Sequence, residues 1–203
     1  MPLGDSWARR SIRVEGYTPG QGEDMEFGFN GVSDGYFETL GIRLRAGRTF
    51  TPADNATAPP VVIVNEAFAD RFFGAANPVG RRVGMFGPDG PLAEIVGVVP
   101  NMKYRSLTED PIPYFYYPYA QSPRPSQMVH VHTSLDPAAL TTALREQVRA
   151  LAPGIAPPEI VTLESEDAVA ALPRPDAAAI ASFAARITLS RWLRSCATRP
   201  VSR

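Results

Sequence analysis

The chain has 203 residues, 44% of them hydrophobic, and its 20 Lys and Arg against 21 Asp and Glu give a net charge of -1. This length allows one substantial core or two small subdomains, and the balanced charge excludes a global field that attracts nucleic acid. The single cysteine, Cys196, excludes an internal disulfide. Neither a signal peptide nor a run of roughly 20 apolar residues is present, so we expect no membrane span in the chain as written.

The N-terminal part predicts short strands joined by loops. Alternating residues at 11–14 and aromatic and β-branched residues at 26–32 predict two strands, separated by a glycine- and proline-rich loop at 16–24. A short helix is predicted at 36–40, because Gly41 can adopt the left-handed conformation that ends a helix.

A fully buried strand is predicted at 61–64, where four apolar residues follow one another. Asn65 is well placed to cap the helix that follows, at 66–73. Phe68 and Phe72 lie four residues apart in this helix and so share one face.

Turn residues at 87–90 predict a hairpin between strands at 82–85 and 94–99. The most aromatic segment, residues 113–119, has Pro113 at one end and Pro118 near the other. Because proline cannot donate to the hydrogen-bond ladder of a sheet, we expect an edge strand here.

The clearest helix begins after Asp136, an N-cap residue followed by Pro137 at the first helical position. Its apolar residues recur on one face and are Leu140, Leu144, Val148 and Leu151. Strands predicted at 127–133 and 160–163 flank this helix and complete a β-α-β unit, whose two strands we expect to be parallel.

The C-terminal tail, residues 173–203, contains arginines and no acidic residue after Asp176. Ile180, Phe183 and Ile187 lie near one stripe of a helix, which is typical of an amphipathic surface helix. A disordered end fits the composition equally well.

Motifs for enzymatic chemistry are missing from the sequence. It contains no P-loop, no G-x-G-x-x-G and no G-x-S-x-G. The carboxylates Glu164, Glu166 and Asp167 are explained by the dipole of a helix N-terminus. We therefore expect no catalytic site and no cofactor, and the chain is not predicted to be an enzyme.

His130 and His132 lie two residues apart, so on a strand both imidazoles share a face and offer the start of a zinc site. A zinc ion needs at least three protein ligands, and no further Cys or His cluster supplies them. We expect two ordinary histidines and no metal, and a metal hydrolase remains the third-ranked interpretation.

The order of several short motifs resembles the MacB-like periplasmic core domain of MacB/FtsX-type ABC-transporter permeases, in the form found in large permeases with two such domains per chain. The matching blocks fall between residues 14 and 163. They are Val14-Glu15-Gly16-Tyr17, residues 32–42 from Val32-Ser33-Asp34 to Gly41-Ile42, Gly47-Arg48-Thr49-Phe50, residues 61–66, Asn77-Pro78-Val79-Gly80-Arg81-Arg82, residues 94–99, residues 104–107 from Tyr104 to Leu107, Tyr117-Pro118 and Asp136-Pro137.

This resemblance implies an α+β fold, in which a porter-like β-α-β layer is interrupted by an inserted, mainly β subdomain. The implied organisation is a disordered N-terminus at 1–10, the inserted subdomain at 11–125, the second half of the porter-like part at 126–172 and the divergent tail at 173–203. The first half of the porter-like part and the membrane helices have no counterpart, so we expect a truncated fragment.

The function implied by the resemblance is mechanical and extracytoplasmic, at the cell membrane of a bacterium. The domain would transmit the ATP-driven motion of membrane helices to a substrate or partner protein. The implied partners are the membrane helices of the parent permease, a second permease domain or subunit, a separate cytoplasmic ATPase and a periplasmic adaptor, with no nucleic acid.

A mechanical role of this kind depends on the surfaces that contact partners. We choose candidate interface residues by their expected exposed aromatic area. The predicted partner interface comprises Tyr36, Phe37, Tyr114, Phe115, Tyr116, Tyr117 and Tyr119. The alternative function is a stand-alone module that holds a small ligand or peptide in a closed apolar pocket with a few convergent polar groups.

Overall fold

The computed structural model describes residues 8–85, 90–104, 108–124, 127–132, 137–151, 159–162 and 182–187. These residues divide into two compact units. Unit 1 lies within Met1–Pro123, and unit 2 lies within Arg124–Glu166 together with Ala177–Arg203. The fold is α+β, as predicted.

Over its described residues, unit 1 is mainly β, with two α-helices and a short 3-10 helix at Tyr119–Gln121. Its elements in chain order are β1 (Arg9–Val14), β2 (Glu26–Val32), α1 (Tyr36–Thr39), β3 (Ala46–Gly47), β4 (Val61–Asn65), α2 (Glu66–Phe73), β5 (Arg82–Met85), β6 (Leu92–Val99) and β7 (Tyr114–Pro118). The strands predicted at 26–32 and 61–64 are confirmed as β2 and β4, and the helix predicted at 66–73 is confirmed as α2. The predicted hairpin is formed by β5 and β6. Because β1 already begins at Arg9, the disordered N-terminus expected at 1–10 is wrong for its last two residues.

The unit 1 sheet closes on itself. Its strands follow the order β3-β6-β4-β7-β2-β1-β5, and β5 also pairs with β6, so six strands form a ring to which β3 is added. The closing pairs are antiparallel, with Ile12 opposite Met85 and Arg82 opposite Glu94. Closure removes the free sheet edges that invite pairing with other chains.

The interior of this barrel is filled by alternate side chains from all six strands, as in other small barrels. They include Ile12, Phe29, Val62, Val64, Val83, Ile95 and Phe115, and Phe68 of α2 joins them. A second apolar cluster covers the outer face of β4, β6 and β7, where α1 and the following loop lie. The run of apolar residues in β4 is explained by this burial on both faces, which leaves Val62, Ile63 and Val64 0% exposed.

The prediction of an edge strand at 113–119 is wrong. β7 lies in the middle of the sheet, parallel to β2 and antiparallel to β4. Pro113 precedes the strand and Pro118 is its last residue, so the residues between them keep their N–H donors. A proline at each end of a strand is therefore compatible with a central position.

Unit 2 contains β8 (Gln127–His132), α3 (Pro137–Leu151), β9 (Glu159–Thr162) and β10 (Ser182–Ile187). The predicted helix and its flanking strands are confirmed, although Leu151 of the expected apolar face is 84% exposed. β10 lies between β8 and β9 and is antiparallel to both. β8 and β9 therefore run in the same direction, as predicted for the two strands of a β-α-β unit. They do not pair with each other, because β10 lies between them.

The interpretation of the tail as a helix or a disordered end is wrong for residues 182–187, which form β10. Residues four apart share a face in a helix and in a strand alike, so the spacing of Phe183 and Ile187 in the sequence does not distinguish the two structures. The remaining tail residues lie outside the described part of the chain, as do Glu164, Glu166 and Asp167, which were assigned to a helix N-terminus.

Candidate functional site

The aromatic residues predicted as a partner interface are core residues. Those of α1 and β7 are at most 8% exposed and are Tyr36, Phe37, Tyr114, Phe115, Tyr116 and Tyr117. The expectation that they present exposed aromatic area is wrong, because β7 is central and α1 packs against the outer face of the sheet. Tyr119, in the turn that follows β7, is half-buried and keeps part of its surface.

Four tyrosines and Phe37 form an outer aromatic cluster on the sheet. The ring of Phe37 meets Tyr116 edge to face at 5.1 Å, and Tyr104 stacks on Tyr114 at 3.8 Å. The hydroxyl oxygens of Tyr104 and Tyr116 lie 2.7 Å apart. Burial raises the pKa of Tyr36, Tyr104 and Tyr116, because the charged phenolate would lose its water.

Asn65 joins three parts of unit 1 at the end of β4. Its side-chain oxygen accepts hydrogen bonds from the N–H groups of Phe68 (3.0 Å) and Tyr114 (2.9 Å), and its amide donates to the carbonyl of Ile112 (2.7 Å). The first of these bonds confirms the predicted helix cap. The sequence pattern predicted this cap but not the bonds to β7, because Tyr114 is far away along the chain.

β3 approaches β6 so closely that only glycine fits. Gly47 has a φ of +76°, and a Cβ there would lie 2.1 Å from the carbonyl oxygen of Val96. A Cβ on Gly97 would in turn lie 2.4 Å from the carbonyl oxygen of Arg48. Gly47 belongs to one of the sequence blocks that resemble the family, and this close contact explains why the residue is a glycine.

A salt bridge between Arg48 and Asp54 holds the loop after β3 together. Arg48 donates to both carboxylate oxygens of Asp54 (2.7 and 2.8 Å), which also accepts from the N–H of Thr51 (2.8 Å). The guanidinium of Arg48 holds the pKa of Asp54 below its ordinary value. These polar groups satisfy one another and so stabilise the loop.

His130 and His132 both lie on β8, as the sequence predicted. Burial lowers the pKa of His130 to about 4, so this imidazole is neutral near pH 7. Within the described residues, no group of three or more His, Cys, Asp or Glu side chains is placed to hold a metal ion.

Two depressions lie on the surface of unit 1. The first, of about 470 Å³, is lined by Arg9, Asp24, Glu26 and Arg71 together with Phe27, Gly28, Ile112 and Pro113. The second, of about 340 Å³, is lined by Arg13, Val14, Glu15, Gly16, Tyr17, Thr18 and Leu92. Arg9 pairs with Asp24, Arg71 with Glu23 and Arg82 with Glu15, so the charges near both depressions are largely balanced.

Among the described residues, no helix is both long and apolar enough to cross a bilayer. The fold is that of an α+β domain whose buried polar residues stabilise its architecture. Residues 2–151 match the model of the MacB-like periplasmic core domain, and the chain belongs to this family. It is an extracytoplasmic domain of the ABC-transporter permease family.

Two known proteins are similar to this chain. Over 77 residues the chain is 31% identical to an uncharacterised ABC transporter permease of Bacillus subtilis, YknZ, and this stretch is 38% of the chain and 19% of that protein. The periplasmic region of MacB from Actinobacillus actinomycetemcomitans has a similar fold, with a TM-score of 0.50 and 18% identity over 72% of this chain and 64% of that one. The chain thus spans less than two thirds of either relative.

A further similarity is to the extracellular domain of the noncanonic ABC-type transporter YknZ from Gram-positive bacteria. The alignment of the two structures has a TM-score of 0.42 and 15% sequence identity, and it covers 90% of this chain and 62% of the YknZ domain.

Proposed function

We propose that this chain transmits the ATP-driven motion of membrane helices to a substrate or partner protein outside the membrane. The observation that carries the proposal is the closure of the unit 1 sheet through the pairing of β5 with β6. Strands in a closed sheet have no free edge along which to separate, so the six strands move together. A displacement applied to one part of the barrel therefore reaches the rest of it.

Packing on both sides of the sheet supports this mechanical role. The central strands β4 and β7 are buried on both faces, by the barrel interior and by the outer aromatic cluster. Protein interiors packed in this way have low compressibility and transmit strain. The hydrogen bonds of Asn65 attach α2 and β7 to the end of β4, and the N–H of Arg48 attaches the start of the loop after β3 to the carbonyl of Val96 in β6 (2.8 Å).

The proposed function requires partner proteins, and membership of this family supports the following ones. They are the membrane helices of the parent permease, a second permease domain or subunit, a separate cytoplasmic ATPase and a periplasmic adaptor. ATP hydrolysis is assigned to the separate protein because the resemblance to MacB/FtsX-type permeases implies a separate cytoplasmic ATPase.

The alternative, a stand-alone ligand-binding module, needs a closed apolar pocket with a few convergent polar groups. The larger depression of unit 1 instead has four charged residues, Arg9, Asp24, Glu26 and Arg71, among its eight lining residues. Its ion pairs are partly exposed, so they offer little energy to a ligand. The transmission function therefore has the better support.

Deletion of residues 8–123 from the parent permease, reconstituted in lipid vesicles with its ATPase, tests the proposal. We expect ATP hydrolysis to continue while the maximal transport rate falls to background. A ligand-binding module predicts a raised apparent KM with the maximal rate retained. Transport at the wild-type rate after the deletion would contradict both functions.

A further inference from the structure

The loop between β1 and β2, residues 16–25, is attached to the barrel by few side chains. Its sequence is rich in glycine, and Gly16 and Gly22 have φ values of +80° and +77°. Between residues 16 and 24, Tyr17 and Glu23 are half-buried while the other residues are exposed. We call this segment the strap.

The carboxylate of Glu23 holds the strap together and ties it to α2. It accepts hydrogen bonds from the hydroxyl of Tyr17 (2.9 Å), the N–H of Gly20 (2.9 Å) and the guanidinium of Arg71 (2.8 Å). Arg71 also donates to the carbonyl of Asp24 (3.0 Å). The hydrogen bond from Arg71, followed by those from Gly20 and Tyr17, holds the pKa of Glu23 below its ordinary value.

Aromatic side chains lie beneath this polar contact. The ring of Tyr17 meets Phe72 edge to face at 5.0 Å, and Phe72 meets Phe27 at 5.6 Å. The guanidinium of Arg71 lies over the rings of Phe27 (4.9 Å) and Phe72 (5.2 Å). Tyr17, Met25 and Phe72 also pack against the barrel core.

These contacts divide unit 1 into a part of high and a part of low local stability. A segment with few buried apolar contacts opens at a lower free energy than the strands of a core. β4 is fully buried, whereas the strap is held by Tyr17 and the hydrogen bonds of Glu23. Where the strap joins β2, the ion pair between Arg9 and Asp24 and the hydrogen bond from the N–H of Ile12 to the carbonyl of Met25 (3.1 Å) hold its end. Hydrogen bonds to a charged group are stronger than neutral ones, so the charge of Glu23 sets how often the strap opens.

We propose that the strap is a latch that opens while the barrel stays folded, that the contact between Glu23 and Arg71 controls its opening, and that opening uncovers the ring of Phe72, against which Tyr17 packs. This conformational device does not depend on the proposed transport role. It makes the exposed aromatic area at this end of the barrel depend on one ion pair.

Hydrogen exchange measured by mass spectrometry on the full chain tests the latch, with Glu23→Gln as the main variant. This change keeps the shape of the side chain and removes its charge. We expect amide exchange at residues 16–25 to rise roughly tenfold or more, as the loss of a charged hydrogen bond predicts, with β4 and β6 unchanged. The matched control is Glu15→Gln, which removes the exposed ion pair to Arg82 just before the strap and should leave exchange in the strap as in the wild type.

Two further outcomes decide the proposal. In an Arg71→Leu background, Glu23→Gln should accelerate exchange in the strap less than it does in the wild type, because the hydrogen bond between the two side chains is already lost and only those from Tyr17 and Gly20 remain. The latch is rejected if Glu23→Gln leaves strap exchange unchanged, or if it accelerates exchange in the strap and in β4 equally, since the strap would then open only with the barrel.

Discussion

The hydroxyl oxygens of Tyr104 and Tyr116 lie 2.7 Å apart, and each side chain is 1% exposed. Replacing either residue with Phe removes this hydrogen bond and leaves the other hydroxyl buried without it. We expect each single variant to lose about 1–2 kcal/mol of unfolding free energy. The double variant should lose less than the sum, because no hydroxyl of the pair is then left behind. Urea unfolding of the wild type, the two single variants and the double variant gives the coupling free energy between the two hydroxyls. Strictly additive losses would show that the hydrogen bond contributes nothing to stability.

The same tyrosines predict a loss of stability in alkaline solution. Burial raises the pKa of Tyr36, Tyr104 and Tyr116 in the folded state above the value of about 10 that holds in the unfolded chain. Their contribution to stability is therefore fully present below pH 10 and is lost as the pH rises through 10 towards the folded-state values. Unfolding free energies between pH 8 and pH 11 should decline only at the upper end. The decline should be shallower in the double variant with Phe at positions 104 and 116 than in the wild type. An equal decline in these two proteins would show that the buried tyrosines do not cause it.

Gly47→Ala should be among the most damaging single substitutions in unit 1. The added Cβ meets the carbonyl of Val96, and the positive φ adds strain of about 1–2 kcal/mol. Gly16→Ala is the matched control, because Gly16 also has a positive φ (+80°) but nothing lies within 4 Å of its added Cβ. Thermal unfolding followed by circular dichroism should show at least twice the loss for Gly47→Ala. Equal losses would mean that strain alone, and not the contact with β6, requires the glycine.

Asn65→Ala removes three hydrogen bonds at the junction of β4, α2 and β7. With about 1 kcal/mol for each bond, we expect a loss of about 3 kcal/mol or more. Asn77→Ala is a control of the same chemistry, since Asn77 accepts one exposed hydrogen bond from the N–H of Val79 (3.1 Å). Chemical denaturation should show a loss within about 1 kcal/mol for this control. Similar losses for both variants would contradict the role of Asn65 as a junction.

Local elements of the fold were predictable because their determinants are close in sequence. The apolar run of β4 and the spacing of Phe68 and Phe72 in α2 each report burial of neighbouring residues. The closure of the barrel was not predictable in this way. Ile12 pairs with Met85 across more than 70 residues, and periodicity carries no information on which strands become neighbours.

The candidate site was harder to predict than the fold. Tyrosine occurs both in cores and at interfaces, so the aromatic run of β7 did not reveal whether it was exposed. Its burial depends on α1 and on Tyr104, which come from other parts of the chain. Likewise, Glu23 and Arg71 are 48 residues apart, and only the three-dimensional structure brings their charges together.

The most direct test of the transmission function is a distance measurement by electron paramagnetic resonance on the reconstituted permease and its ATPase. After Cys196→Ser, spin labels at the exposed positions Ser11 and Asn55 report the dimensions of unit 1, and a third label on a membrane helix reports its displacement. We predict that ATP changes the distance from Asn55 to the membrane label while the distance between Ser11 and Asn55 stays constant. An unchanged distance to the membrane label throughout the ATPase cycle would contradict the proposed function.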